Sequence, residues 1–63
     1  MQTNIPEGID FRFSVTQKVR FKVPHADGEG WVSEHIYVNG KVMYRIVTED
    51  NHYFAFENEV FPC

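Results

Sequence analysis

The sequence predicts an all-β domain: five short strands in one strongly bent antiparallel sheet that closes on itself. Three observations carry this. Asn39-Gly40 separates two alternating apolar runs, and that dipeptide is the strongest short-range hairpin signal, because both central residues of a type I′ turn need φ > 0. Gln17–Val23 alternates strictly, with Val19, Phe21 and Val23 on one face and Lys18, Arg20 and Lys22 on the other. No stretch shows the i, i+3, i+4 apolar recurrence of a helix, whereas β-branched and aromatic residues fill every run.

Taken in order, residues 1–8 carry Asn4, Pro6 and Gly8 and few apolar groups, and read as a flexible lead-in to a single domain over 9–63. Ile9, Phe11 and Phe13 recur at period two, as a short first strand or as an irregular arm that plugs one end of the sheet. The alternating strand Gln17–Val23 stops at Pro24, which cannot donate to a ladder. Residues 24–30, Pro-His-Ala-Asp-Gly-Glu-Gly, read as a polar seven-residue loop whose glycines allow a sharp turn. Trp31–Val38 and Lys41–Thr48 are the arms of the Asn39-Gly40 hairpin. Glu49-Asp50-Asn51 turns the chain into an aromatic strand, His52–Phe56; Glu57-Asn58-Glu59 turns it again before Val60-Phe61-Pro62.

Sixty-three residues lie near the lower limit for folding without metal or disulfides. The chain meets this with six Phe, three Tyr and one Trp, 16% of its residues, each ring able to bury about 150–250 Å². Oligomerisation would add burial and is carried as an option. A net charge of −3 speaks against a general nucleic-acid binder. The single cysteine, Cys63, excludes an internal disulfide, and the first residues lack a basic start followed by an apolar run. The expectation is a small cytoplasmic protein with no membrane association and no cofactor.

A two-residue turn pairs Val38 with Lys41, Tyr37 with Val42, Ile36 with Met43, His35 with Tyr44 and Glu34 with Arg45. One hairpin face then carries Val32, Glu34, Ile36, Val38, Lys41, Met43, Arg45 and Val47; the other carries Trp31, Ser33, His35, Tyr37, Val42, Tyr44, Ile46 and Thr48. Both faces are largely apolar, so either a bend or bulge buries each for part of its length or an aromatic patch stays outside.

The succession of a basic-alternating strand, Gly28-Glu29-Gly30-Trp31-Val32, a returning Tyr44-Arg45-Ile46-Val47, an aromatic strand and a final Glu59-Val60-Phe61-Pro62 resembles the SH3-like small-barrel superfamily in its bacterial form. That group includes KOW- and Tudor-type modules and the plasmid-borne trimethoprim-resistant dihydrofolate reductases. The resemblance covers about residues 17–62 and implies a barrel that serves as a binding module of the bacterial, plasmid or phage kind. In the reductases a Val-Gln-Ile-Tyr run lines a pore at the centre of a tetramer. The matching stretch is Tyr53-Phe54-Ala55-Phe56, with Phe54 in place of the ligand-contacting glutamine.

Among candidate sites, Trp31, Tyr37 and Tyr44, with Tyr53 nearby, form either an exposed surface for a protein partner or simply the core and a dimer interface of an undersized domain. Asp27 and Glu29 in the 24–30 loop would add an acidic rim to that surface. Lys18, Arg20 and Lys22 either track a phosphate backbone or form the solvated face of a strand. His25, Asp27 and Glu29 include metal-type ligands, but nothing else in the sequence completes a metal set. His35 and His52 lack a neighbouring nucleophile, so no catalytic residues are assigned and an enzyme is not expected. The reading is a non-enzymatic adaptor that recognises a protein through the aromatic hairpin and the acidic loop. A nucleic-acid-binding regulator is the first alternative and an oligomeric reductase-like barrel the second.

Overall fold

The computed structural model describes residues 8–63. The expected lead-in therefore lies, up to residue 7, outside the described residues. The strands are β1 (Lys18–Val23), β2 (Ala26–Val38), β3 (Lys41–Val47), β4 (His52–Phe56) and β5 (Val60–Pro62), with one 3-10 turn, Glu57–Glu59, before β5. All five join a single antiparallel sheet in the order β4-β3-β2-β1-β5. The sheet curls until β1 meets β4 across the interior, where the Phe21 and Tyr53 rings stand 5.0 Å apart. It does not close: among the described residues no ladder joins β4 to β5, which corrects the expected full closure.

The Asn39-Gly40 turn forms as its chemistry demands, with φ of 52° and 77°. The ladder above it has the register set by a two-residue turn, from Val38 opposite Lys41 to Glu34 opposite Arg45. Beyond Glu34 the register shifts, because Val32 pairs with Ile46 and leaves Ser33 as an extra residue. The bulge exchanges the faces of everything before it. Val32 joins His35, Tyr37, Val42, Tyr44 and Ile46 on the inner face, while Trp31 moves to the outer face. The single-face assignments of Val32 and Trp31 made from strict alternation are corrected accordingly.

The polar run 24–30 is not a loop. Pro24 and His25 alone connect β1 to β2, and Ala26, Asp27, Gly28, Glu29 and Gly30 pair with Val23, Lys22, Phe21, Arg20 and Val19. Close approach explains the glycines. A Cβ on Gly30 would lie 2.4 Å from the Val47 carbonyl oxygen and 2.9 Å from Ile46 Cγ2, and one on Gly28 would touch the Phe21 ring. Glycine within a strand here lets the backbone of β2 press against β3 at the bend.

The core is Phe13, Val19, Phe21, Val32, Tyr44, Ile46, Ala55 and Val60, all buried. Phe13 arrives on an irregular arm, since residues 9–17 form no strand; of the two readings of that segment, the plug is the observed one. The arm is tied down through Thr16 and Gln17. The Thr16 N–H donates to the Val32 carbonyl (2.7 Å) and the Val32 N–H to the Gln17 carbonyl (2.9 Å).

Candidate functional site: the outer face of the sheet

Inside the curl, Tyr44 is the polar centre. It is 0% exposed, so it is absent from the expected exposed aromatic surface. Its O–H donates to Glu57 Oε2 at 2.8 Å and accepts from the Phe13 N–H at 3.4 Å, and the Arg12 N–H donates to the same Glu57 oxygen at 3.3 Å. Burial, and then the Glu57 carboxylate, push the Tyr44 phenol up to about 12, so it stays protonated through the physiological range. His35 stacks on Phe11 with ring centroids 4.1 Å apart, and its Nε2 lies 2.7 Å from the Phe13 carbonyl oxygen. An acceptor at that distance makes Nε2 the protonated nitrogen. These groups fasten the arm; they are interior structure.

The predicted aromatic surface is therefore divided. Tyr44 is in the core, Tyr53 packs half-buried against Phe21, and Tyr37 is half-buried on the inner face. Trp31 alone stands out on the other side, 42% exposed, with Lys18 Nζ 5.6 Å from its ring centroid. The predicted acidic rim is divided from it as well. Asp27 and Glu29 sit on β2 directly opposite Lys22 and Arg20, and Lys18 Nζ reaches Glu29 Oε1 at 3.5 Å. The basic stripe of three cations thus faces two carboxylates on the adjoining strand. Those two carboxylates offset part of the field of the three cations. His25 lies in the Pro24-His25 turn, and among the described residues no three His, Cys, Asp or Glu side chains converge on a common point.

A different surface emerges from the ladders. On the outer face, three cross-strand rows run over β4, β3 and β2: Phe56–Met43–Ile36, Phe54–Arg45–Glu34 and His52–Val47–Trp31. Phe54 is 52% exposed, Phe56 39% and Val38, at the hairpin end, 47%. The guanidinium of Arg45 lies in the middle row, with Nη1 4.0 Å from Glu34 Oε1. Its Nε is shielded from solvent and has no hydrogen-bond partner among the described residues. Lys41 Nζ lies 5.5 Å from the Phe56 ring centroid.

Met43, Ile36 and Arg45 were missing from the sequence-based sites, and Phe54 and Phe56 entered only through the reductase comparison, although one signal was present. In His52–Phe56 the two phenylalanines alternate with Tyr53 and Ala55, and the small Ala55 packs against the large Tyr44. The alternation that points Tyr53 and Ala55 inward points Phe54 and Phe56 out. In comparison with known proteins, no family model, no curated protein and no solved structure matches this chain.

Proposed function

We propose that the chain is a non-enzymatic binding module, a small barrel of the SH3-like kind, that recognises a protein partner through the outer face of β2, β3 and β4. The observation that carries this is that Phe54, Phe56, Met43, Ile36, Val47 and Trp31 share the outer face, in rows on either side of Arg45 and Glu34. An antiparallel sheet ordinarily keeps one face polar, and an outer face carrying this many large apolar side chains marks an interaction surface. Its make-up supports the reading. Aromatic residues, methionine and arginine are the types enriched where protein interfaces are driest. Arg45, flanked by those groups and with its side chain still partly exposed, offers a carbonyl or carboxylate of the partner its terminal guanidinium N–H groups.

The test is to place a photo-crosslinking phenylalanine analogue at position 54 in cells that express the protein, identify the captured partner, and titrate it in purified form. Phe54→Asp is expected to weaken binding about tenfold or more, with Lys22→Ala neutral. The converse pattern would overturn the reading: binding indifferent to Phe54→Asp, lost when Lys18, Arg20 and Lys22 are neutralised, and steeply salt-dependent toward a single-stranded oligonucleotide.

A further inference from the structure

We infer that β4 accepts an added strand: an extended segment of the partner, apolar at alternate positions and carrying lysine or arginine at both ends. This rests on the protein-binding reading above and supplies its mode and chemistry.

β4 is an edge, paired among the described residues with β3 alone. The Thr48 N–H donates to the Asn51 carbonyl at 2.8 Å, which makes Thr48 and Asn51 a hydrogen-bonded pair and fixes the phase of the ladder. Hydrogen-bonded pairs then recur at Ile46/Tyr53 and Tyr44/Ala55, so the backbone groups of His52, Phe54 and Phe56 point away from β3. The Phe56 N–H confirms the phase, because it donates outside the ladder, to Glu59 Oε1 at 2.9 Å. The N–H and C=O groups of His52 and Phe54 are left facing outward.

Proteins normally blunt such an edge with charge, proline or a bulge. β5, at the opposite edge, is three residues long and contains Pro62. His-Tyr-Phe-Ala-Phe has no proline, no formally charged residue and no register shift. An added strand would place every second side chain beside Phe54 and Phe56 on the outer face and the others beside Tyr53.

Charge selects the occupant. Glu49 and Asp50 stand at one end of β4, exposed and in no ion pair among the described residues; Glu57 and Glu59 stand at the other, half-buried, with carboxylates that already accept from Tyr44, Arg12 and Phe56. A second copy running antiparallel would set Glu49 and Asp50 against the partner's acidic turn at both ends, between molecules that each carry −3. Like charges so placed are repulsive, whereas cationic ends fit in either strand direction. Lys41 lies over the Phe56 ring, so the preference for a cation is sharper at Glu49 and Asp50.

The probe is a synthetic octapeptide with a Val-Thr-Val-Thr centre and two lysines at each end, titrated into isotope-labelled protein. Amide exchange at His52 and Phe54 is expected to slow about tenfold or more, and the same peptide with glutamate for lysine to bind about tenfold more weakly. N-methylating the valine amides, or instead the threonine amides, should abolish binding in one case only, since one edge of a strand pairs. The Glu49→Gln/Asp50→Asn variant should weaken binding of the lysine peptide. Unchanged exchange at His52 and Phe54, whether shifts move to Trp31, Met43 and Arg45 or vanish at millimolar peptide, overturns strand addition and leaves the outer-face reading to the crosslinking test. A protein dimer that protects His52 and Phe54 overturns it in favour of a second copy.

Discussion

Tyr44 shows how one side chain joins packing to pH dependence. Its ring fills the core, while its hydroxyl ties the arm and the 3-10 turn to β3 through Phe13 and Glu57. An unperturbed tyrosine titrates near 10; here burial raises the value to about 12. Between those values the unfolded chain has lost a proton that the folded chain keeps. The unfolded state then binds fewer protons, and stability falls as pH rises. Below pH 10 the contribution is intact. Tyr44→Phe is expected to cost about 1 kcal/mol at neutral pH. The gap in denaturation midpoint between the two proteins should then narrow from pH 10 to 12, with other titrating groups common to both. A gap that widens with pH would contradict the assigned burial.

The element that most repays attention is β2, where thirteen residues form a strand despite two glycines and an interior bulge. Gly28 and Gly30 raise the probability of a loop in any local reading, because glycine carries a high ordering cost. What overrides it is approach. At Gly30 the Val47 carbonyl and Ile46 side chain occupy the space of a Cβ, and the neighbour at 2.4 Å is backbone that cannot swing aside. Gly30→Ala is expected to destabilise the fold by about 1–3 kcal/mol. For a domain of this size that is a drop in melting temperature of roughly 5 °C or more, readable by circular dichroism. An unchanged melting temperature would mean that β2 and β3 are not in contact at that bend. The Ser33 bulge has the larger consequence for the surface, because it puts Trp31 on the same face as Phe54 and Phe56 while Val32 enters the core.

The molecule as a whole is undersized, and it compensates by borrowing its arm. Phe13 completes the core and Phe11 lies against it, although neither belongs to a strand. A core this small supplies roughly 3–5 kcal/mol of net stability, and truncating a buried phenylalanine costs about 3–5 kcal/mol. Phe13→Ala is therefore expected to leave much of the population unfolded at room temperature, seen as collapsed dispersion in an amide correlation spectrum. Retention of a dispersed spectrum with little loss of stability would show that the arm is dispensable. The same smallness gives the outer face its interest. A sheet with one interior to fill has placed its large aromatic residues on both sides.

Much of this architecture was legible along the chain. Strand identity, the Asn39-Gly40 turn and the hairpin register depend on side-chain periodicity and on which residues tolerate positive φ, and these are properties of neighbours in sequence. The strand limits at Val23, His52 and Phe56 follow from the same local rules. The faces of β1 were legible in the same way, and those of β2 before its bulge were not. Which side of β2 is buried turns on one extra residue, and strict alternation has no means of counting Ser33. The burial of Tyr44, the placing of Glu29 and Asp27 opposite Arg20 and Lys22, and the assembly of Phe54, Phe56, Met43, Ile36 and Trp31 on one face arise between strands. Pairing across a ladder depends on register and bulges accumulated over the whole sheet. Local pattern therefore set the strands, and packing set which of their side chains meet each other and which meet water.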